Sequence, residues 1–151
     1  MTASAGTLLG EQEIRQAIRE FCGRFPSSYW RIADREGRYP DEFVRELTAS
    51  GWLACMIPED YGGGGQGLAQ AGWVLEEINR AGGNSAACHA QMYTLGPILR
   101  HGSDEQKLVY LPRLASGELR LQSFAVTEPD AGSDTTMIST FAEQVPGGYR
   151  I

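Results

Sequence analysis

A chain of 151 residues, 42% hydrophobic and 21% charged, has the make-up of one folded domain with a substantial core. That composition argues against a disordered, collagen-like or disulfide-stapled chain. Thirteen Lys+Arg against nineteen Asp+Glu give a net charge of −6 with no basic stripe, so neither nucleic acid nor an anionic membrane surface is a predicted partner.

The three cysteines, Cys22, Cys55 and Cys88, are odd in number and form no C-x-x-C pair. They read as reduced, mostly buried thiols of a cytoplasmic protein. Residues 1–10 carry no Lys or Arg and no long apolar run, unlike a signal peptide. No apolar stretch approaches the roughly 18 residues of a membrane span, so a soluble protein is predicted.

In chain order, Ile14, Ala17, Ile18, Phe21 and Cys22 make one apolar stripe and predict an amphipathic helix over 11–22. A polar, mixed stretch runs to Arg38. Pro40, Asp41 and Glu42 suit the start of a second helix, with Phe43, Leu47 and Trp52 inward and Gly51 as its stop. Residues 56–67, MIPEDYGGGGQG, read as a loop. A helix follows over 68–80, burying Leu68, Trp73, Leu75 and Ile78. Asn84 or Ser85 caps the next one, which runs to His101 with Cys88, Met92, Leu95 and Leu99 on one face. Ser103 and Gln106 form a capping box for a helix with Leu108, Leu111 and Leu114 inward, and Pro112 predicts a kink or a shortening there.

The pattern then changes. Residues 120–127 alternate as a strand does, and a Pro/Gly/Asp turn follows. Ile138 to Val145 is a second predicted strand, Pro146-Gly147-Gly148 a hairpin turn, and Tyr149-Arg150-Ile151 the opening of a third. The predicted fold is therefore mainly α: a helical bundle over 1–119, then the first strands of a β domain over 120–151. A half-built hairpin with unpaired backbone groups leads to the expectation that this is the front part of a longer protein.

Several motifs invite chemistry and lack its context. Gly62, Gly64 and Gly67 satisfy G-x-G-x-x-G. No central strand precedes them, however, and no acidic residue lies between Glu77 and Asp104 to bind a ribose. A tight or flexible loop is the better reading. His89 and His101 have no partner at metal-ligand spacing. Glu76-Glu77 reads as a solvated helix face. No G-x-S-x-G elbow supports a hydrolase.

The segment Ala125-Val126-Thr127-Glu128-Pro129-Asp130-Ala131-Gly132-Ser133-Asp134 is richer. A strand end delivers Thr127, Pro129 fixes a bend, Gly132 lets a ligand approach the backbone, and Ser133 adds a hydroxyl. Such turns expose donors to anionic or carbonyl groups. The acids Glu128, Asp130 and Asp134 oppose a bare phosphate there unless they point away. The competing reading is a rigid turn in which Ser133 and Asp134 satisfy local amides.

AVTEPDAGSD resembles the flavin signature of the acyl-CoA dehydrogenase family: a small residue, an aliphatic, Thr or Ser, then Glu, leading to a Gly-Ser-Asp turn. MIPEDYGGGG is similar to the loop between that family's early helices, and LGPILRHGSDEQKLVYLPRLASGEL to its helix pair before the first strand. The resemblance covers roughly residues 11–151. Met137 departs from it, standing where a small residue is usual.

The resemblance implies an N-terminal helical domain, a middle β domain and a C-terminal four-helix domain, with FAD between the last two. By motif position it implies that Phe124, Val126 and Thr127 line the flavin ring, Thr127 at the polar pyrimidine edge. Gly132 and Ser133 would meet the pyrophosphate side, and Ser133 would also sit near the acyl-CoA substrate. The helix at 84–101 would wall the acyl pocket through Gln91 and Leu95. The implied reaction is α,β-dehydrogenation of an acyl-CoA thioester in fatty-acid metabolism. A Glu base removes the α proton, the β hydride passes to FAD, and an electron-transfer flavoprotein accepts the electrons. That base belongs to the C-terminal domain, so no residue of this chain is assigned a catalytic role. The 151 residues alone are expected to be inactive and colourless. The resemblance further implies a homo-oligomer at full length. Two alternatives stand beside this reading: a non-catalytic helical interaction module or pseudoenzyme, and an acyl-CoA oxidase or flavin monooxygenase relative.

Overall fold

A computed structural model describes residues 8–151. Most of the stretch read above for a targeting signal therefore lies outside the described residues. The architecture is mainly helical, with one short antiparallel hairpin at the end. No helix among the described residues is long and apolar enough to cross a membrane.

Six helices follow in order: α1 (Glu11–Cys22), α2 (Ser27–Arg35), α3 (Asp41–Ala49), α4 (Leu68–Arg80), α5 (Ala86–His101) and α6 (Asp104–Ser116). The stripe of α1 buries Ile14, Ile18, Phe21 and Cys22 and lays the helix along α4. Around Phe43 of α3, which is fully buried, the rings of Phe21, Phe25 and Trp30 gather with centroids 4.7 to 5.4 Å away and edges turned to faces. A second, smaller core joins Ala54, Ile57, Leu95, Leu111 and Leu114 beneath α5 and α6. The capping box of α6 is present: Ser103 Oγ accepts from the Gln106 amide and Gln106 Oε1 from the Ser103 amide. Asn84 caps α5 by accepting from the Ala86 amide at 2.9 Å.

Four sequence readings need correction. The polar stretch before Arg38 contains α2, whose Trp30 and Ala33 are buried; tertiary packing of an aromatic pair outweighs a short, mixed periodicity. Leu68 and Leu108 are exposed, because the buried stripes of their helices run through Ala71, Val74 and Ile78 and through Leu111 and Leu114. Residues 120–127 form no strand, and no strand lies beside them among the described residues. The later strands shrink to β1 (Glu143–Val145) and β2 (Gly148–Arg150), paired Glu143 to Arg150 and Val145 to Gly148. The Pro146-Gly147 turn between them, with Gly147 at φ +88°, has the residue order of a type II turn.

Side chains take over the work of the missing ladder. Arg120 Nη2 donates to Thr48 Oγ1 at 2.7 Å, and Thr94 Oγ1 lies 3.1 Å from the Leu121 carbonyl. These bonds dock Arg120 and Leu121 against α3 and α5.

Candidate functional site

The glycine loop after α3 is built for the fold. Successive amides of Gly62, Gly63, Gly64, Gly65 and Gln66 donate to the carbonyls of Glu59, Pro58, Ala54, Ile57 and Cys55. No N–H in that run is left to cradle a phosphate, which disposes of the dinucleotide reading of Gly62, Gly64 and Gly67. A Cβ on Gly63 would stand 2.1 Å from the Ile57 carbonyl oxygen, so the glycine serves close backbone packing.

Glu76-Glu77 is not a solvated face. Glu76 is exposed, but the Glu77 side chain is fully buried between α1 and α4. Arg19 bonds both of its oxygens, at 2.8 and 3.0 Å, and Arg15 adds a third bond at 2.8 Å. These bonds, from Arg19 first and then Arg15, hold its carboxyl down to about 2 against the opposing effect of burial. The cluster fastens two helices and presents no free acid. Cys22, Cys55 and Cys88 are unpaired and buried, and desolvation raises their thiols to about 11, 11 and 12. His89 and His101 are both exposed, and among the described residues no three His, Cys, Asp or Glu converge as metal ligands.

The turn that follows residues 120–127 has the opposite character. Glu128 and Ala131 exchange backbone hydrogen bonds, 2.9 Å in one direction and 3.2 Å in the other, closing Pro129-Asp130 into a tight bend. The buried Ala131 anchors its base. Beyond it, the amides of Gly132, Ser133, Asp134 and Thr135 have no partner among the described residues. Neither do the hydroxyls of Thr127 and Ser133, and all these residues are exposed. The Cβ position of Gly132 opens onto empty space. Two of the three acids are engaged by neighbours within the loop. Glu128 accepts three bonds from Ser139 and Thr140, and Asp134 Oδ1 accepts from the amide and hydroxyl of Thr136. Thr140 and Ser139 hold the Glu128 carboxyl down to about 2, and Thr136 lowers Asp134.

Of the predicted site residues, Phe124, Val126, Thr127, Gly132 and Ser133 lie together on this exposed stretch. Gln91 and Leu95 do not join them. Both are fully buried in the helical core. Gln91 Nε2 reaches the carbonyls of Leu53 and Leu114, at 3.4 Å each, and Leu95 packs in the smaller core. The exposed side of α5, beside Gln122 and Phe124, carries His89 and Tyr93 instead. The Tyr93 ring lies 5.1 Å from that of His89 and 5.2 Å from that of Phe124. Helical phase holds the signal for this: residues 91 and 95 share the stripe of Cys88 and Met92, whereas 89 and 93 lie off it.

Comparison with known proteins agrees with the helical architecture. The family described as acyl-CoA dehydrogenase, N-terminal domain, matches residues 10–118. The acyl-CoA dehydrogenase FadE12 of Mycobacterium tuberculosis is 34% identical over 134 residues, which are 88% of this chain and 34% of that protein. A glutaryl-coenzyme A dehydrogenase solved with glutaryl-CoA superposes with a TM-score of 0.72 at 33% identity, over 91% of this chain and 36% of that one. An acyl-CoA dehydrogenase from Bacillus anthracis solved with FAD gives 0.72 at 30% identity, over 87% and 23%. The chain spans about a third of the length of the curated relatives it matches. With the helical architecture, the family match and these relatives in agreement, the chain belongs to the acyl-CoA dehydrogenase family, through that family's N-terminal domain.

Proposed function

We propose that residues 120–135 form one wall of a flavin site in an enzyme that dehydrogenates an acyl-CoA thioester between its α and β carbons. The observation that carries this is the run of four unpartnered amides at Gly132–Thr135, flanked by the free hydroxyls of Thr127 and Ser133. Consecutive backbone N–H groups of this kind suit a pyrophosphate. Phe124 and Val126, exposed on the same stretch, offer apolar surface to a ring. The donor set thus fits FAD, while the Glu128 and Asp134 carboxylates are taken up by Ser139, Thr140 and Thr136. FAD, when bound, supplies the hydride acceptor; this chain's residues orient and enclose it.

In this reading Thr127 donates to the polar edge of the ring, and Ser133 reaches both cofactor and acyl-CoA. Gln91 and Leu95 act from behind as packing, while His89 and Tyr93 face the substrate side. The proposal also includes the division into a helical part, 1–119, and the start of a β domain, 120–151. It includes an electron-transfer flavoprotein as acceptor, a homo-oligomer and a cytoplasmic location, the last supported by three unpaired thiols.

The test is titration of the isotope-labelled chain with FAD in large excess, where one wall of a site still binds weakly although too loosely to retain the flavin on purification, followed by amide resonances. The expected result is perturbation concentrated at 124–135. Perturbation at Gly62–Gln66, or none anywhere, overturns the proposal.

A further inference from the structure

The loop from Gly132 to Ile138 is closed at both ends by one residue. At its start, the backbone of Glu128 pairs with Ala131. At its far end, the side chain of the same Glu128 receives the returning chain: Oε2 accepts from the Ser139 amide and hydroxyl, each at 2.9 Å, and Oε1 from the Thr140 amide at 2.8 Å. Both carboxylate oxygens are engaged, so they fix direction as well as distance. Between the two closures lie the unpartnered amides of 132–135, with Asp134 bracing Thr136 inside the loop.

We infer that Glu128 is the positioning residue of this site: its carboxylate fastens Ser139 and Thr140, and thereby sets the backbone on which the free amides of Gly132–Thr135 are aimed. The inference rests on the reading of that turn as cofactor-facing and adds how its shape is maintained. A carboxylate is required because three donors converge on it. The neutral amide of glutamine has one acceptor oxygen and would turn an N–H₂ toward an N–H. Both Glu128 oxygens already accept hydrogen bonds, and those from Thr140 and Ser139 hold its carboxyl down to about 2, which makes it a weak base. An acid beside an anion site is repulsive by charge alone; here its role in building the loop explains why an acid stands there.

The experiment uses the whole chain without flavin and then with it. In Glu128→Gln, amide exchange at Ser139 and Thr140 should accelerate about tenfold, the loss expected for a charge-assisted hydrogen bond. The amide resonances of Gly132–Thr135 should move in the same variant, while those of Leu111 and Leu114 stay in place and report an intact core. Ser139→Ala, which removes one donor from the opposite side, should move the same four resonances by less. Unchanged Gly132–Thr135 resonances in Glu128→Gln overturn the inference whatever FAD does. Wild-type resonances that ignore FAD, in a chain whose turn still rearranges in Glu128→Gln, support the clamp and instead overturn the flavin reading.

Discussion

The two regions of this chain are held together differently. From Glu11 to Ser116 the helices enclose apolar side chains, and the glycine loop turns every amide of 62–66 inward. From Gln122 onward nearly all side chains are exposed, including Phe124, Val126, Met137, Ile138, Phe141 and Tyr149, and order comes from single polar clamps. The first region is stabilised by burial and the second by local hydrogen bonds around donors left open. Glycine marks the difference well. Gly63 is locked under Ile57, whereas Gly132 faces open space.

If burial stabilises only the first region, truncating one large side chain in each should separate them widely. Phe43→Ala removes the ring at the centre of the aromatic cluster and should cost about 4 kcal/mol by urea unfolding. Phe141→Ala, at a site 74% exposed, should stay within about 0.5 kcal/mol. Equal costs would break the comparison.

The ion cluster between α1 and α4 sharpens it. Glu77→Gln leaves Arg15 and Arg19 without their shared buried partner and should cost about 3 kcal/mol near neutral pH. The sign of its pH dependence follows from a carboxyl at about 2 when folded and about 4.5 in the ordinary state. Its stabilisation is full above about 4.5 and disappears as pH falls toward 2, because the unfolded chain takes up the proton first. Glu76, Arg15, Arg19 and Arg80 surround it, and the Arg15 and Arg19 guanidiniums are held further into their charged form by these acids. The gap between wild type and Glu77→Gln in urea midpoint should therefore narrow steadily over that window. A constant gap would mean that shape, not charge, is what the variant lost.

Much of the first region was legible because its information is local. The stripe of α1, the Ser103–Gln106 box and the breaks at glycines are read within one helix. Glu77 was misread because adjacent glutamates look solvated. Yet Glu77 follows the buried Val74 by three positions, and Arg15 and Arg19 stand four apart on α1, a cationic pair matched to one acid. In the second region the family motif singled out the turn whose amides lie open, whereas the alternation at 120–127 announced a strand that does not form among the described residues. Alternation says nothing about whether a neighbouring strand exists, so the ladder was not legible. Nor was the clamp: Glu128 meets Ser139 and Thr140 across eleven and twelve residues, with no periodicity to signal it.

Gly63→Ala places a methyl 2.1 Å from the Ile57 carbonyl oxygen and 2.4 Å from its Cβ. Backbone must move to admit it, so the cost should be about 2 kcal/mol by chemical denaturation, with perturbation reaching the smaller core through Ile57. An unchanged midpoint would show that this loop is loosely packed and would remove the main structural account of its glycines.

The smallest stability effect belongs to Gly132→Ala. Its Cβ would meet nothing within 4 Å, and its φ lies outside the left-handed region, so alanine should change unfolding by no more than about 0.5 kcal/mol. The same methyl stands beside the open amides of Ser133 and Asp134, where a cofactor's phosphate would approach. FAD-induced resonance shifts at 132–135 should therefore shrink in Gly132→Ala, and shrink further in Gly132→Val, with little change in either unfolding midpoint. This separates two uses of glycine in one chain: at Gly63 the fold cannot accept a side chain, and at Gly132 only the ligand would object. Undiminished FAD shifts in Gly132→Val would place the cofactor elsewhere and leave Gly132 as an ordinary turn residue.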